Sequence, residues 1–196
     1  ATILDPTGGE HVKIRKIIVK IRKDGAPGLN GLPGSLFGED PQFWLEAFTP
    51  LFSCCHSTGS VPNSWRRSIL HLIYKKGDRL NPGNYRLIAL LDVDGKAYAR
   101  YLLQQLTAWA DKNHLLPFYQ TGFQAAASTL DNIVALSYLA HQAKTGASKP
   151  LFCCFIDYST AFDRVIREKL WQKMQQWNIL TLLLRAIVSL YHNTWV

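Results

Sequence analysis

Apolar residues recur at intervals of three and four along most of the chain and form one short unbroken run near its end. Ile14, Ile17, Ile18 and Ile21 lie on an i, i+3, i+4, i+7 stripe, which predicts a helix over residues 10–23. Val12, Ile14, Ile17, Val19 and Ile21 also partly alternate, so a strand stays open there. Phe43, Ala47, Phe48 and Leu51 predict a helix over residues 41–57, with Pro41 in its first turn and Pro50 expected to kink it or end it early. Gly59 and Pro62 then break the pattern. Residues 66–75 read as a strand, Lys76-Gly77-Asp78 as a turn, and residues 85–91 as the returning strand. Tyr98, Tyr101, Leu102 and Leu106 predict a helix over 95–112. Ser128 or Thr129 caps another, with Leu130, Ile133, Val134 and Ser137 at helical spacing as far as residue 144. Residues 151–156 are continuously apolar and run into Asp157, the look of a buried central strand. Two further helices, over 167–178 and 180–191, carry stripes that include Leu170, Trp171, Met174 and Trp177, then Leu183, Leu184 and Ile187, which read as core. Gly25, Gly28, Gly31 and Gly34 hold a three-residue period, too short for a collagen helix, so residues 25–34 read as a turn-forming loop. Residues 146–150 are a second loop. The order of elements gives fold class α+β in one domain, with no internal repeat.

Charge and composition narrow the picture. The chain has 196 residues, 22 Lys+Arg against 14 Asp+Glu, a net charge of +8 and a pI of about 9.4. That points toward a polyanionic partner, although a soluble basic domain has the same signature. A hydrophobic share of 47% with six Trp belongs to a folded chain rather than a disordered one. No apolar run approaches the roughly 20 residues of a spanning helix, so no membrane contact is expected. The first residues lack the basic and apolar regions of a signal peptide, and an intracellular location is expected. Cys54-Cys55 and Cys153-Cys154 match neither zinc spacing nor a disulfide framework and read as buried reduced thiols. The first residue is Ala and the last four are Asn193-Thr-Trp-Val, which reads as a piece of a longer reading frame.

The sharpest chemical feature is Phe155-Ile-Asp157-Tyr-Ser-Thr-Ala-Phe162-Asp163. A carboxylate at the end of an apolar strand suits Mg²⁺, a hard ion that prefers oxygen ligands. Phosphoryl transfer on two ions ~3.5–4 Å apart needs at least two such carboxylates. Asp163 is a second acid, but its spacing fits an N-cap or an ion pair with Arg164 or Arg167 better. Residues 66–100 hold eight basic residues (Arg66, Arg67, Lys75, Lys76, Arg79, Arg86, Lys96, Arg100) and three acidic ones, a net of +5. On a hairpin, Lys75, Lys76 and Arg86 could converge on a phosphate, and the plainer reading of each is a solvated basic face. No G-x-S-x-G, Walker A, G-x-G-x-x-G or zinc spacing occurs, and His56 beside Cys55 is not evidence of a dyad.

Six strings in order resemble the non-LTR (LINE-type) retrotransposon reverse transcriptases. They are Ala26-Pro27-Gly28 with Gly31-Leu32-Pro33; Gly59-Ser-Val61-Pro62-Asn-Ser-Trp65; Leu72-Ile-Tyr-Lys75-Lys76-Gly77-Asp78; Pro82-Gly-Asn84-Tyr85-Arg86; Gln120-Thr-Gly122-Phe123 with Ser128-Thr129 and Asp131; and Phe155-Ile-Asp157 through Val165. The resemblance implies the fingers (about 1–125) and an incomplete palm (about 126–196) of a right-hand polymerase fold. It implies Asp157 as the first catalytic carboxylate, binding Mg²⁺ or Mn²⁺. Lys75, Lys76, Arg86, Tyr158 and Phe162 would bind the incoming dNTP, with Phe162 against its sugar as a steric gate. Arg66, Arg67, Gln120, Gly122 and Phe123 would meet the RNA template and DNA primer. Oligomeric state stays open.

Departures from the family pattern are clear. Pro27-Gly28-Leu29-Asn30-Gly31-Leu32-Pro33 lacks a Pro and an acid of the usual loop, and Leu87-Ile88-Ala89 replaces Pro-Ile-Ser. Gln124 and Ala127 stand where the family usually has Arg, which should weaken phosphate contacts. The family's second catalytic motif, aromatic-x-Asp-Asp, is expected beyond residue 196, as is the thumb; the chain contains no Asp-Asp. Three readings follow: an RNA-directed DNA polymerase fragment inactive as this isolated chain, a non-enzymatic nucleic-acid-binding remnant, or an inert product that folds poorly. An intron-encoded polymerase is the runner-up within the first.

Overall fold

The computed structural model describes residues 9–124, 127–146 and 150–194. Its elements are α1 (Gly9–Val19), α2 (Leu36–Glu39), α3 (Pro41–Thr58), β1 (Ser68–Tyr74), β2 (Tyr85–Leu91), α4 (Val93–Lys112), α5 (Thr129–Thr145), α6 (Arg167–Gln176) and α7 (Thr181–Tyr191), with 3₁₀ turns at Asn63–Arg66 and Pro82–Asn84. The mixture of helices with one small antiparallel sheet is α+β. The chain divides into two compact units, the first taking in Ala1–Trp109 with Glu168–Val196 and the second Ala110–Arg167.

The first unit has an aromatic core. Phe37, Phe48, Phe52, Trp65, Tyr98 and Tyr101 are all buried, drawn from α2, α3, the first 3₁₀ turn and α4. Phe52 lies at the centre, 5.1 Å from Phe48 and 5.0 Å from Tyr98 between ring centroids. Each such ring contributes about 1.5–3 kcal/mol by leaving water. The isoleucine stripe of α1 buries Ile14, Ile17 and Ile18, so the helical reading holds over Gly9–Val19 and the strand reading falls. Residues 20–23 instead form a turn. The Tyr101 hydroxyl donates to the Glu10 carboxyl at 2.7 Å and ties α4 to α1.

Helix α3 differs from its sequence reading in two ways. Its buried face is Leu45, Phe48, Phe52 and Cys55, whereas Phe43 is exposed and packs edge-on against Trp44. It also runs through Pro50 to Thr58 and stops at Gly59, which is left-handed. An interior proline costs about 3 kcal/mol. Burial of side chains on both sides of exposed Pro50 offsets that cost. Asp40 caps the start by accepting from the Gln42 and Phe43 N–H groups.

In the second unit no described residue is buried. Helix α5 forms where expected, with the Ser128 side chain accepting from the Leu130 N–H and Asp131 from the Ser128 N–H. Its apolar residues Leu130, Ile133, Val134 and Leu139 face solvent. The expected buried strand at 151–156 is not formed: the segment carries no ladder, and Phe152, Phe155 and Ile156 are exposed. A strand needs a neighbour for its N–H and C=O groups, and among the described residues β1 and β2 pair only with each other. The cysteines need correction too. All four are free, but only Cys55 is buried, because Cys54 points off the α3 core face and Cys153-Cys154 sit in the exposed segment. The loop expected at 146–150 falls largely outside the described residues. Stripes on α6 and α7 are partly core: Met174, Leu183 and Leu184 are buried, while Leu170 and Trp177 keep substantial exposure.

Candidate nucleic-acid and nucleotide site

The basic hairpin belongs to the first unit. β1 and β2 pair in full antiparallel register from Ser68↔Leu91 to Tyr74↔Tyr85, with Ile73 opposite Arg86. The register continues one step, since the Lys75 N–H donates to the Asn84 carbonyl at 2.8 Å. Lys75 and Ile73 share a face of the pleat, so Lys75 and Arg86 are diagonal neighbours on it, ~7–8 Å apart. Lys76 belongs to the turn. Of the three cations expected to converge, the ladder therefore groups two. The loop that follows is held by its own side chains. Asn84 Nδ2 donates to the Asp78 carbonyl at 2.8 Å, the Tyr85 hydroxyl to the Arg79 carbonyl at 2.9 Å, and the Tyr74 hydroxyl to the Gly77 carbonyl. The Arg79 guanidinium lies 5.1 Å from the centre of the Tyr74 ring. Gly77, Asp78, Asn84 and Tyr85 thus shape the loop that presents Lys75, Lys76 and Arg86. Sequence reading placed Gly77 and Asp78 in the turn and Tyr85 in the returning strand, but not the hydrogen bonds that hold the loop.

Trp65 fixes the next group. Its ring is buried 5.3 Å from Tyr98, and its indole N–H donates to Asp94 at 2.8 Å. The Val61 N–H donates to the hydroxyl of Ser189 on α7 at 3.1 Å. Arg66 follows Trp65 and turns inward: its Nη2 donates to the Val61 carbonyl at 3.3 Å and lies 3.4 Å from the Ser189 hydroxyl. Arg67 is exposed. The two arginines therefore leave the chain in different settings. No sequence signal links Ser189 to Arg66, 123 positions away, because the link is tertiary.

In the second unit, Gln120, Gly122 and Phe123 precede α5, and the Thr121 hydroxyl accepts from Asn132 Nδ2 at 2.8 Å. Gln124 Nε2 folds back onto the Gln120 carbonyl. Phe123 has φ +62, an uncommon state for a bulky residue. Its ring meets Phe162 edge-on at 6.3 Å between centroids. Two residues assigned to different roles, template path and nucleotide sugar, are thus brought together. Asp157, Tyr158 and Phe162 are all exposed. Asp163 starts no helix, since α6 begins at Arg167, which removes its N-cap reading. Asp157 offers one hard oxygen donor, but no cluster of three His, Cys, Asp or Glu forms among the described residues. These residues alone do not make a divalent-metal centre. No helix among the described residues is long and apolar enough to cross a membrane.

Comparison with known proteins converges on one family. The model of the reverse transcriptase (RNA-dependent DNA polymerase) family matches residues 73–195. The probable RNA-directed DNA polymerase from transposon BS of Drosophila melanogaster is 30% identical over 171 residues, covering 84% of this chain and 18% of that protein. The RNA-directed DNA polymerase from mobile element jockey of the same species is 25% identical over 154 residues, 78% of this chain and 17% of that protein. The transposon TX1 149 kDa protein of Xenopus laevis is 29% identical over 164 residues, 78% and 12% of the respective chains. The chain spans less than a fifth of the length of these relatives. With more than half of its residues matched by the family model, including both the Lys75–Arg86 hairpin and the Asp157 segment, the chain belongs to the reverse transcriptases, in the company of non-LTR retrotransposon polymerases.

Proposed function

We propose that the chain is the fingers and the first part of the palm of an RNA-directed DNA polymerase. The whole enzyme would transfer a nucleotidyl group from a dNTP to a primer 3′-OH on an RNA template. The observation that carries this reading is that one family match, over residues 73–195, holds Lys75, Lys76 and Arg86 of the basic hairpin together with Asp157. Phosphoryl transfer is mainly positioning and charge neutralisation, so cationic fingers and a carboxylate-bearing palm are complementary parts. Lys75 and Arg86 would hold the triphosphate from one face of the hairpin. Phe162 would abut the sugar, and Tyr158 would add to the nucleotide contacts. Gln120, Gly122 and Phe123 would border the template, with Arg66 and Arg67 adding phosphate contacts. Mg²⁺ or Mn²⁺ would take one ligand from Asp157, and the remaining carboxylates would come from beyond residue 196.

The test is primer extension on an RNA template with the coding sequence extended downstream of Val196 to include the aromatic-x-Asp-Asp hairpin. Extension by that protein, its loss in Asp157→Asn, and no extension by the 196-residue chain are expected. Extension unaffected by Asp157→Asn would refute the assignment. A second reading, a nucleic-acid-binding remnant, is favoured by Gln124 and Ala127 at positions where arginine is the rule. It predicts salt-sensitive RNA binding that Asp157→Asn leaves unchanged, and no polymerisation by the extended protein.

A further inference from the structure

We infer that a cleft between α7 and the segment ending in Arg66 binds a phosphate group through the guanidinium groups of Arg66 and Arg185. This deepens the nucleic-acid reading above and rests on it for the source of that phosphate. The cleft lies wholly within the first unit and measures about 470 Å³. Arg66, Arg185 and His192 line it together with Ser60 and Ser189, and no carboxylate is among the described residues of its wall.

That absence is informative about the wall itself. An arginine kept for stability alone is normally paired with an acid or stretched into water. Arg66 is neither. It is partly buried, its Nη2 is directed at the Val61 carbonyl and the Ser189 hydroxyl, and its Nε is buried without a partner. The neutral contacts fix the fork in place and leave its charge uncompensated. Arg185 reaches the same cleft from an exposed position on α7, and its Nη2 donates to the Thr58 carbonyl at 3.4 Å. Gly59 lies under its stem: a Cβ there would sit 3.1 Å from the Arg185 Cβ. A guanidinium carries five N–H donors, so both groups retain donors after these contacts. Two forks entering one cleft from different elements suit a phosphate, which offers several strong acceptors and matches bidentate arginine geometry.

The test is titration of the ¹⁵N-labelled chain with inorganic pyrophosphate, read at the Arg66 and Arg185 Nε–H signals and the Ser189 amide. Saturable shifts of all three are expected. Arg185→Gln, at an exposed position, should weaken the response roughly tenfold, as the loss of a charge-assisted bond pair implies, with Arg185→Lys intermediate. Acetate at matched ionic strength should not compete. Absence of saturable shifts, or an equal response in a folded Arg185→Gln chain, would overturn the site. The source follows from two more ligands. Movement of the same signals with a short single-stranded RNA identifies backbone phosphate, and movement with dATP alone identifies a free nucleotide; either upholds the site. RNA that binds elsewhere while these signals stay still under pyrophosphate, dATP and RNA alike overturns the site and leaves the nucleic-acid reading standing. Pyrophosphate saturation with no RNA binding upholds the site and removes the nucleic-acid reading.

Discussion

Replacing Gly28 by alanine tests whether the loop at 25–34 is locked to the sheet. Gly28 is buried against the end of β2, and a Cβ there would lie 2.3 Å from Asp92 Oδ1, 2.4 Å from the Asp92 backbone nitrogen and 2.6 Å from the Leu91 carbonyl carbon. Two of those three atoms are backbone, so no rotamer change relieves the clash. The Asp92 side chain also accepts from the Asn30 N–H at 3.0 Å, and Asp92 is only 2% exposed. Pushing the loop outward breaks that bond and leaves a buried acceptor unsatisfied. Overpacking costs roughly 1–3 kcal/mol, and an orphaned buried polar group about as much again. A total of roughly 2–6 kcal/mol is a large part of the 5–15 kcal/mol that holds a typical domain. Gly25→Ala is the control. Its nearest neighbours would be the Arg22 carbonyl oxygen at 3.6 Å and Cβ at 3.7 Å, ordinary contacts. Its expected change is within about 1 kcal/mol, on the stabilising side if anything. Urea unfolding followed by far-ultraviolet circular dichroism measures both, and with slopes of about 1–3 kcal/mol/M the Gly28→Ala midpoint should fall by roughly 0.7 M or more. Equal midpoints for the two variants would refute the lock.

Iodoacetamide labelling with peptide mapping should modify Cys54, Cys153 and Cys154 quickly and Cys55 only after unfolding, because burial, assisted by neighbouring Cys54, pushes the Cys55 thiol up to about 11. His56 has a buried, unpartnered Nδ1, and burial lowers its pKa below the ordinary 6.5, against a smaller upward pull from Glu10. The unfolded chain then binds the proton first, so stability is intact above about pH 6.5 and declines as pH falls below it until the folded imidazole also protonates. Urea midpoints of the parent and His56→Gln, compared between neutral and acidic pH, should show the smaller decline in the variant; parallel declines would sink the assignment. Asp157→Asn should leave the unfolding free energy from urea melts within about 0.5 kcal/mol of the parent, since the residue is exposed, and a larger loss would give Asp157 a structural role. Hydrogen exchange should find the amides of 151–158 unprotected in this chain, and protection there would contradict the missing ladder.

Elements whose faces meet a neighbour close in sequence or in a single layer were legible. The isoleucines of α1 and the tyrosines of α4 bury where their spacing said, and the β1–β2 hairpin closes around the turn that Lys76-Gly77-Asp78 announced. Helix α3 was legible as a helix but not in its facing. Phe43 and Leu45 are equally apolar, and which of them is covered depends on tertiary neighbours that spacing does not reveal. The lock between Gly28, Asn30 and Asp92 was invisible for the same reason: the glycine period suggested a turn, while the need for glycine at one of its positions comes from a strand end 64 residues later. Arg66 was read as one of a basic pair. Its separation from Arg67 depends on Val61 and Ser189, which carry no charge to betray it.

The segment at 151–156 and helix α5 miss for one shared reason. An all-apolar run calls for cover on both faces and hydrogen-bonding neighbours on both edges, and α5 carries Leu130, Ile133, Val134 and Leu139 uncovered by any described residue. Sequence pattern records the surroundings a segment is suited to, whether or not the described residues supply them. Exposed apolar area is unfavourable by about 25 cal/mol per Å², so both segments would gain by being covered. The catalytic assignment of Asp157 turns on this. A carboxylate must be held to within about 0.5 Å to serve a reacting centre, and its holder here is an exposed segment without a ladder. Among the described residues, the Phe123–Phe162 contact is the ring-to-ring anchor that joins this segment to the turn before α5. If Asp157 acts as proposed, order must spread from such contacts into the strand when covering elements arrive. The chemistry of the palm would then depend on its assembly as much as on its acid.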